Sequence, residues 1–109
     1  MNQPDWKNLV DKRLARIRET LIAKNAEYVP EGLDVLHNFV RAGNMLGCCK
    51  ESALVGMFTK HIISLLDIVD KINKDPTNIP SQEMLAEKIG DSLSYLLLLE
   101  ACIEDRRAK

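Results

Sequence analysis

The feature that most limits what this chain can fold into is the spacing of its apolar residues. They recur every three or four positions along most of its length. That spacing places them on one face of an α-helix, whereas a half-buried strand would need them at every second position. No segment of useful length alternates with a period of two. The sequence therefore predicts an all-α domain without a sheet.

The first half of the chain predicts one long helix and one short one. The long helix spans about residues 5 to 25, with Asp5 as its N-cap. The short helix carries apolar residues from Leu33 to Met45 and ends at Gly47, a residue suited to the left-handed conformation that follows many helices.

The second half predicts two further long helices. The third spans about residues 51 to 73. The fourth follows Ser81, a favourable N-cap, and has Glu83 in its first turn, where a negative charge complements the helix dipole. It reaches about Arg106. The prediction is therefore four main helices in a single domain over residues 1–109.

The third and fourth helices are apolar around most of their circumference, which is typical of helices buried on all sides. Four helices in a chain of 109 residues cannot bury two such helices completely. We therefore expect a helical bundle completed by oligomerisation, as a dimer or tetramer. The alternative is a monomeric bundle in which these two helices form the core.

Composition indicates a soluble protein of the cytoplasm. The three cysteines are odd in number and form no C-x-x-C pair, which argues against a disulfide framework. The longest apolar run, residues 95–99, is too short to cross a bilayer, so no membrane association is expected. A net charge of -1 argues against binding nucleic acid through the overall field.

Four carboxylates interrupt the two apolar helices. If the helices pack antiparallel, as their short connection suggests, Asp67 and Asp70 on the third helix can converge with Glu87 and Asp91 on the fourth. Magnesium prefers such oxygen ligands, and Lys60 is within reach of a phosphate oxygen bound beside it. The alternative is that Asp67 only pairs with Lys60 or with the lysine at position 71 on a solvated surface.

The fourth helix also carries a family resemblance. The stretch Glu87-Lys-Ile-Gly-Asp-Ser-Leu-Ser-Tyr-Leu-Leu97 resembles the second metal-binding helix of the MazG-like, all-α nucleoside triphosphate pyrophosphohydrolases. Residues 24–28, 36–39 and 60–67 resemble short phage-encoded proteins grouped near that fold. The family signature is E-x-x-E, a spacer and E-x-x-D. In this chain Asp67-x-x-Asp70 occupies the position of E-x-x-E, and Glu87-x-x-x-Asp91 occupies the position of E-x-x-D.

The resemblance implies a phage-encoded, Mg²⁺-dependent nucleotide pyrophosphohydrolase or a nucleotide-handling relative, with Asp67, Asp70, Glu87 and Asp91 holding the metal. The candidate catalytic residues are Asp67 and Lys60, the second of which is suggested by its helical spacing from Asp67. An alternative is a non-catalytic phage protein, in the host cytoplasm, that sequesters a nucleotide signal or inhibits a host defence protein such as a CRISPR effector. The two departures from the family signature leave both functions, the hydrolase and the non-catalytic protein, open.

Two residues are candidates for a nucleobase pocket. Tyr28 can stack on a base, and Asn38 offers the paired donor and acceptor that a base edge requires. The alternative is that Tyr28 belongs to the core and Asn38 caps a helix end. For His61, a packed or capping role is favoured over a ligand role.

Overall fold

The structure is a computed structural model, described over residues 1–29 and 32–109, with the side chains of residues 26 and 28 outside that description. It contains four α-helices: α1 (Gln3–Tyr28), α2 (His37–Leu46), α3 (Lys50–Lys74) and α4 (Gln82–Arg107). Over the described residues there is no strand. The predicted all-α class and the number of helices are confirmed.

The chain forms two compact units. Met1–Val35 contains α1, and Leu36–Lys109 contains α2, α3 and α4. Within the second unit α3 contacts both α2 and α4. All four predicted metal ligands belong to this second unit.

The first unit consists mainly of α1, whose N-cap differs from the prediction. The side chain of Asn2 accepts a hydrogen bond from the backbone N–H of Asp5 at 2.8 Å. Asp5 therefore lies in the first turn, where its charge complements the helix dipole. The helix also extends beyond residue 25 to Tyr28, since the Asn25 carbonyl accepts a bond from Val29 N–H at 3.1 Å.

The second helix begins later than predicted. It starts at His37, so Leu33 precedes it. The first hydrogen bonds at this end are accepted by the Leu36 carbonyl, from Phe39 N–H at 3.0 Å and Val40 N–H at 3.1 Å, and Leu36 occupies the N-cap position. The end of α2 was predicted correctly, because Gly47 adopts the left-handed conformation with a φ of 72°.

The corner between α2 and α3 is tight. The carbonyl of Gly43 accepts hydrogen bonds from Gly47 N–H and, at 2.9 Å, from Cys48 N–H, which satisfies the end of α2 in the manner of a Schellman motif. A Cβ added to Gly43 would lie 2.7 Å from the Cys48 carbonyl oxygen. This corner therefore requires a residue without a side chain at position 43.

The antiparallel packing of α3 and α4 is fixed by contacts along their length. Arg106 near the end of α4 contacts Glu51 near the start of α3 through two hydrogen bonds of 2.6 and 2.8 Å. Further along, the rings of Phe58 and Tyr95 stack with centroids 5.5 Å apart. The core of this unit consists of Leu36, Leu54 and Cys102, with four partly buried apolar side chains around them: Phe39, Tyr95, Leu98 and Leu99.

The start of α4 was predicted correctly. Ser81 is the N-cap, and its hydroxyl oxygen accepts a hydrogen bond from Met84 N–H at 3.1 Å. Glu83 lies in the first turn, as expected from the helix dipole.

Among the described residues, α3 is long and apolar enough to span a membrane by length and composition, with 17% of its most apolar window buried. Length and composition alone are weak evidence, because core helices of soluble proteins share both properties.

Candidate functional site

The candidate site centres on a cluster of four side chains between α3 and α4. His61 on α3 lies with its Nδ1 atom 3.7 Å from Oδ2 of Asp91 on α4. The His61 ring also contacts the Tyr95 ring, with centroids 4.9 Å apart and an angle of 37° between the planes. Phe58 stacks on the same Tyr95 ring at an angle of 8°. Asp91 is therefore the one predicted metal ligand whose described contacts reach the other helix.

The environment of Tyr95 shifts its acidity. Burial, followed by the negative charge of Asp91, raises the pKa of the Tyr95 hydroxyl above its ordinary value. The phenol is protonated at neutral pH and can donate a hydrogen bond.

One face of α4 carries polar groups from the surface into the interior. Glu87 is exposed, Asp91 is half-buried and Ser94 is only 6% exposed. Within the described part of the chain, the buried Ser94 hydroxyl has no hydrogen-bond partner. A buried hydroxyl without a partner costs free energy, so this position is one where a water or ligand atom would be stabilising.

The predicted site residues of α3 lie on the surface. Lys60, Asp67 and Asp70 are all exposed. No ion pair among the described side chains involves Asp67, so its expected alternative pairing with Lys60 or Lys71 is not found there.

The antiparallel packing determines which residues share a level along the two helix axes. His61 contacts both Asp91 and Tyr95. Asp67 is six residues further along α3 than His61. The same step of six residues back along α4, from Asp91 and Tyr95, reaches positions 85 and 89. Because both helices rise by the same ~1.5 Å per residue, Asp67 lies level with this segment, which contains Glu87. Asp67 nevertheless points away from α4, because it is nine positions, or about 180° of the helical wheel, from Phe58, whose ring stacks on Tyr95 of α4.

The described residues do not bring the predicted ligands into a ready-made metal site. Among them, no group of three or more His, Cys, Asp or Glu side chains could hold a metal ion. The four-carboxylate site over Asp67, Asp70, Glu87 and Asp91 stays a prediction.

The predicted base-pocket residues belong to different units. Asn38 is exposed in the first turn of α2, and the N-cap position of that helix is Leu36, so Asn38 does not cap it. Tyr28 is the last residue of α1, and its side chain lies outside the described residues.

An ionic cluster at the other end of the α3–α4 pair was not predicted. Glu51 contacts Arg106 and, at 3.3 Å, Lys50, which also lies 3.8 Å from Asp105. These contacts lower the pKa of Glu51 to about 2, chiefly through the hydrogen bonds from Arg106. The sequence contains a signal for this cluster, because an acidic residue lies in the first turn of α3 and basic residues lie in the last turn of α4.

Comparison with known proteins returned no match. No protein-family model matches the chain, and neither a curated protein nor a solved structure matches it.

Proposed function

We propose that the chain is a magnesium-dependent nucleoside triphosphate pyrophosphohydrolase or a nucleotide-handling relative of that class. The observation that carries the proposal is the antiparallel pairing of α3 and α4, which directs Asp91 of α4 toward α3. Asp91 is one turn beyond Glu87 and points toward α3, where His61 contacts it. The resemblance of residues 87–97 to a metal-binding helix supports the same site.

The donor set fits magnesium. Asp67, Asp70, Glu87 and Asp91 offer only carboxylate oxygens, which are the ligands this ion prefers. Among the described ion pairs, none involves Asp67, Asp70 or Glu87. Their charges are therefore not neutralised by a neighbouring lysine or arginine in that part of the chain.

When bound, magnesium supplies charge neutralisation along a phosphate chain and a more acidic water. The residues of this chain then have separate roles. The carboxylates would hold the ion, and Lys60, which is exposed on the same helix as Asp67, would contact a phosphate oxygen through its positive charge. Asn38, which is exposed in the second unit, remains a proposed contact for the base.

Pyrophosphate release is the direct test. Purified protein is incubated with a panel of nucleoside triphosphates, with and without magnesium. We expect magnesium-dependent release of pyrophosphate, abolished by Asp91→Asn and by Asp67→Asn. Asp11→Asn is the matched control, because Asp11 is an exposed helix carboxylate that pairs with Lys7 in the other unit. Release that persists in Asp91→Asn would contradict the proposed site.

Thermal melts test metal binding separately from catalysis. At a hundredfold excess over its dissociation constant, magnesium should stabilise the wild type by about 2.7 kcal/mol, because it binds only the folded chain. Asp67→Asn and Asp91→Asn should respond little to magnesium while being as stable as the wild type without it, since the change removes repulsion between carboxylates. Equal responses to magnesium in all three proteins would exclude this metal site.

A second function, nucleotide binding without hydrolysis, is favoured by one observation. Among the described residues no three metal-ligating side chains are gathered, as expected of a relative that has lost catalysis. Such a protein would sequester a nucleotide signal or inhibit a host protein. Calorimetric binding of a nucleotide without pyrophosphate release would select this function over the first.

A further inference from the structure

We infer that His61 is a positioning residue for the metal site and that it acts through Asp91. Its imidazole on α3 reaches across to α4, where Nδ1 lies 3.7 Å from Oδ2 of Asp91. A carboxylate has two oxygens, so one can contact an imidazole while the other binds an ion. Outer partners of this kind fix the direction of a metal-binding carboxylate. The inference rests on the proposed function, in which Asp91 holds the metal.

Two aromatic rings hold the imidazole in place. The His61 ring lies against the Tyr95 ring with centroids 4.9 Å apart, and the Phe58 ring stacks on Tyr95 at 5.5 Å. Phe58 and His61 are three positions apart on α3, so their side chains lie on the same side of that helix. Because Phe58 is only 9% exposed and Tyr95 packs against the core, the stack connects the core of the second unit to His61.

The surroundings of the His61–Asp91 contact favour a fixed geometry. Side-chain exposure is 17% for His61 and 20% for Asp91, against 76% and 61% for the surface pair of Lys7 and Asp11. Water screens a half-buried contact less than a surface contact, so the attraction between carboxylate and imidazole is stronger here. A nearby carboxylate also favours the tautomer with a proton on the facing nitrogen, which is Nδ1.

The distance between the two groups allows the contact to shorten. At 3.7 Å the two atoms are just beyond hydrogen-bond range. Hydrogen bonds in functional sites are often long without a ligand and shorten in the complex. We therefore expect Nδ1–H of His61 to donate to Asp91 when the ion is bound, while the stacked rings limit the other orientations of the imidazole.

Three substitutions of His61 separate the ring from the donor. His61→Phe keeps a ring against Tyr95 but has no N–H to donate. His61→Asn keeps an N–H on an atom attached to Cγ, which is the position of Nδ1, but removes the ring. His61→Ala removes both. His37→Ala is the matched control, because His37 is the other histidine of the chain and is half-buried at the start of α2.

Thermal melts at graded magnesium concentrations, without nucleotide, give the dissociation constant of each protein. We expect His61→Ala and His61→Phe to bind magnesium ~10–100-fold more weakly than the wild type, the usual effect of losing such a partner. His61→Asn should retain most of the affinity, and His37→Ala should bind like the wild type. Because the readout is metal binding alone, it does not depend on catalytic activity.

The outcomes distinguish this inference from the proposed function. If His61→Phe and His61→Ala bind magnesium as the wild type does while Asp91→Asn does not, His61 has no positioning role and the metal site stands. A His61 side chain that only fills space gives this same result, with a lower melting temperature without magnesium and an unchanged dissociation constant. A wild type whose melting temperature does not respond to magnesium overturns both proposals.

Discussion

Gly43 is the residue on which the corner between α2 and α3 depends. Its carbonyl receives two backbone hydrogen bonds, and the backbone of Cys48 and Cys49 lies where its side chain would be. Because the nearest atoms are backbone, they cannot move aside as a flexible side chain could. The other glycines inside helices, Gly56 and Gly90, have open space at the same position.

Replacing these glycines by alanine should therefore have opposite effects. Gly43→Ala should lower the free energy of unfolding by ~1–3 kcal/mol, the usual cost of overpacking. Gly56→Ala and Gly90→Ala should raise it by ~0.5–1 kcal/mol, since alanine is the better helix former. Urea unfolding followed by circular dichroism measures all three. A stable Gly43→Ala would show that the corner has room to adjust.

Glu51 should give the stability of the chain a dependence on acid pH. Its pKa is lowered from the ordinary 4.5 to about 2, first by the hydrogen bonds from Arg106. Below its unfolded pKa the unfolded chain binds a proton that the folded chain does not. The stabilisation is therefore fully present above a pH of about 4.5 and is lost as the pH falls toward about 2.

The test compares wild type with Glu51→Gln in urea at several pH values. At about pH 7 the variant should be less stable by ~1 kcal/mol, a modest figure because the Arg106 side chain is more than half exposed. The difference should shrink steadily below a pH of about 4.5. Glu104→Gln, which removes an exposed ion pair with Arg107, serves as the control, and its free energy of unfolding should differ little from that of the wild type. A difference for Glu51→Gln that does not change with pH would refute the assignment.

At the scale of single helices, the start of α4 rests on one side chain. The Ser81 hydroxyl oxygen satisfies a backbone N–H of the first turn that has no partner within the helix. Ser81→Ala should lower the free energy of unfolding by ~0.5–2 kcal/mol. Ser64→Ala is the matched control, because the Ser64 hydroxyl donates a hydrogen bond to the Lys60 carbonyl of its own helix. Loss of that bond should change the free energy of unfolding little. Equal costs for the two variants, measured by chemical denaturation, would contradict the capping role.

At the scale of the whole molecule, the three cysteines report how the chain is packed. Cys48 and Cys49 are exposed, whereas Cys102 is 0% exposed and belongs to the core of the second unit. Hydrogen bonds from Ser52 lower the pKa of the Cys49 thiol, and burial raises the pKa of Cys102. Reactivity follows the thiolate fraction and access.

A thiol titration with a coloured disulfide reagent should therefore separate the three. In the native protein two thiols should react, with Cys49 faster than Cys48, and Cys102 should react only after denaturant is added. Cys48→Ser and Cys49→Ser assign the two fast phases. Three thiols that react at one rate in the native protein would mean that the core around Cys102 opens readily.

The fold class and the number of helices could be predicted from the sequence. Apolar spacing is a local property, and it specified four helices because each must bury one face. Local chemistry likewise specified the cap at Ser81 and the end at Gly47. The prediction failed at residue 33, where apolar spacing continues but the helix begins only at His37.

Which side chains meet depends on how the helices pack. The Glu51–Arg106 contact joins residues 55 positions apart, and the His61–Asp91–Tyr95 contacts depend on how α3 and α4 are rotated against each other. Helical spacing fixes which residues share a face but not the direction in which that face points. For this reason the sequence named Asp91 as a site residue, while its contacts with His61, and the surface position of Asp67, Asp70 and Glu87, came from the packing.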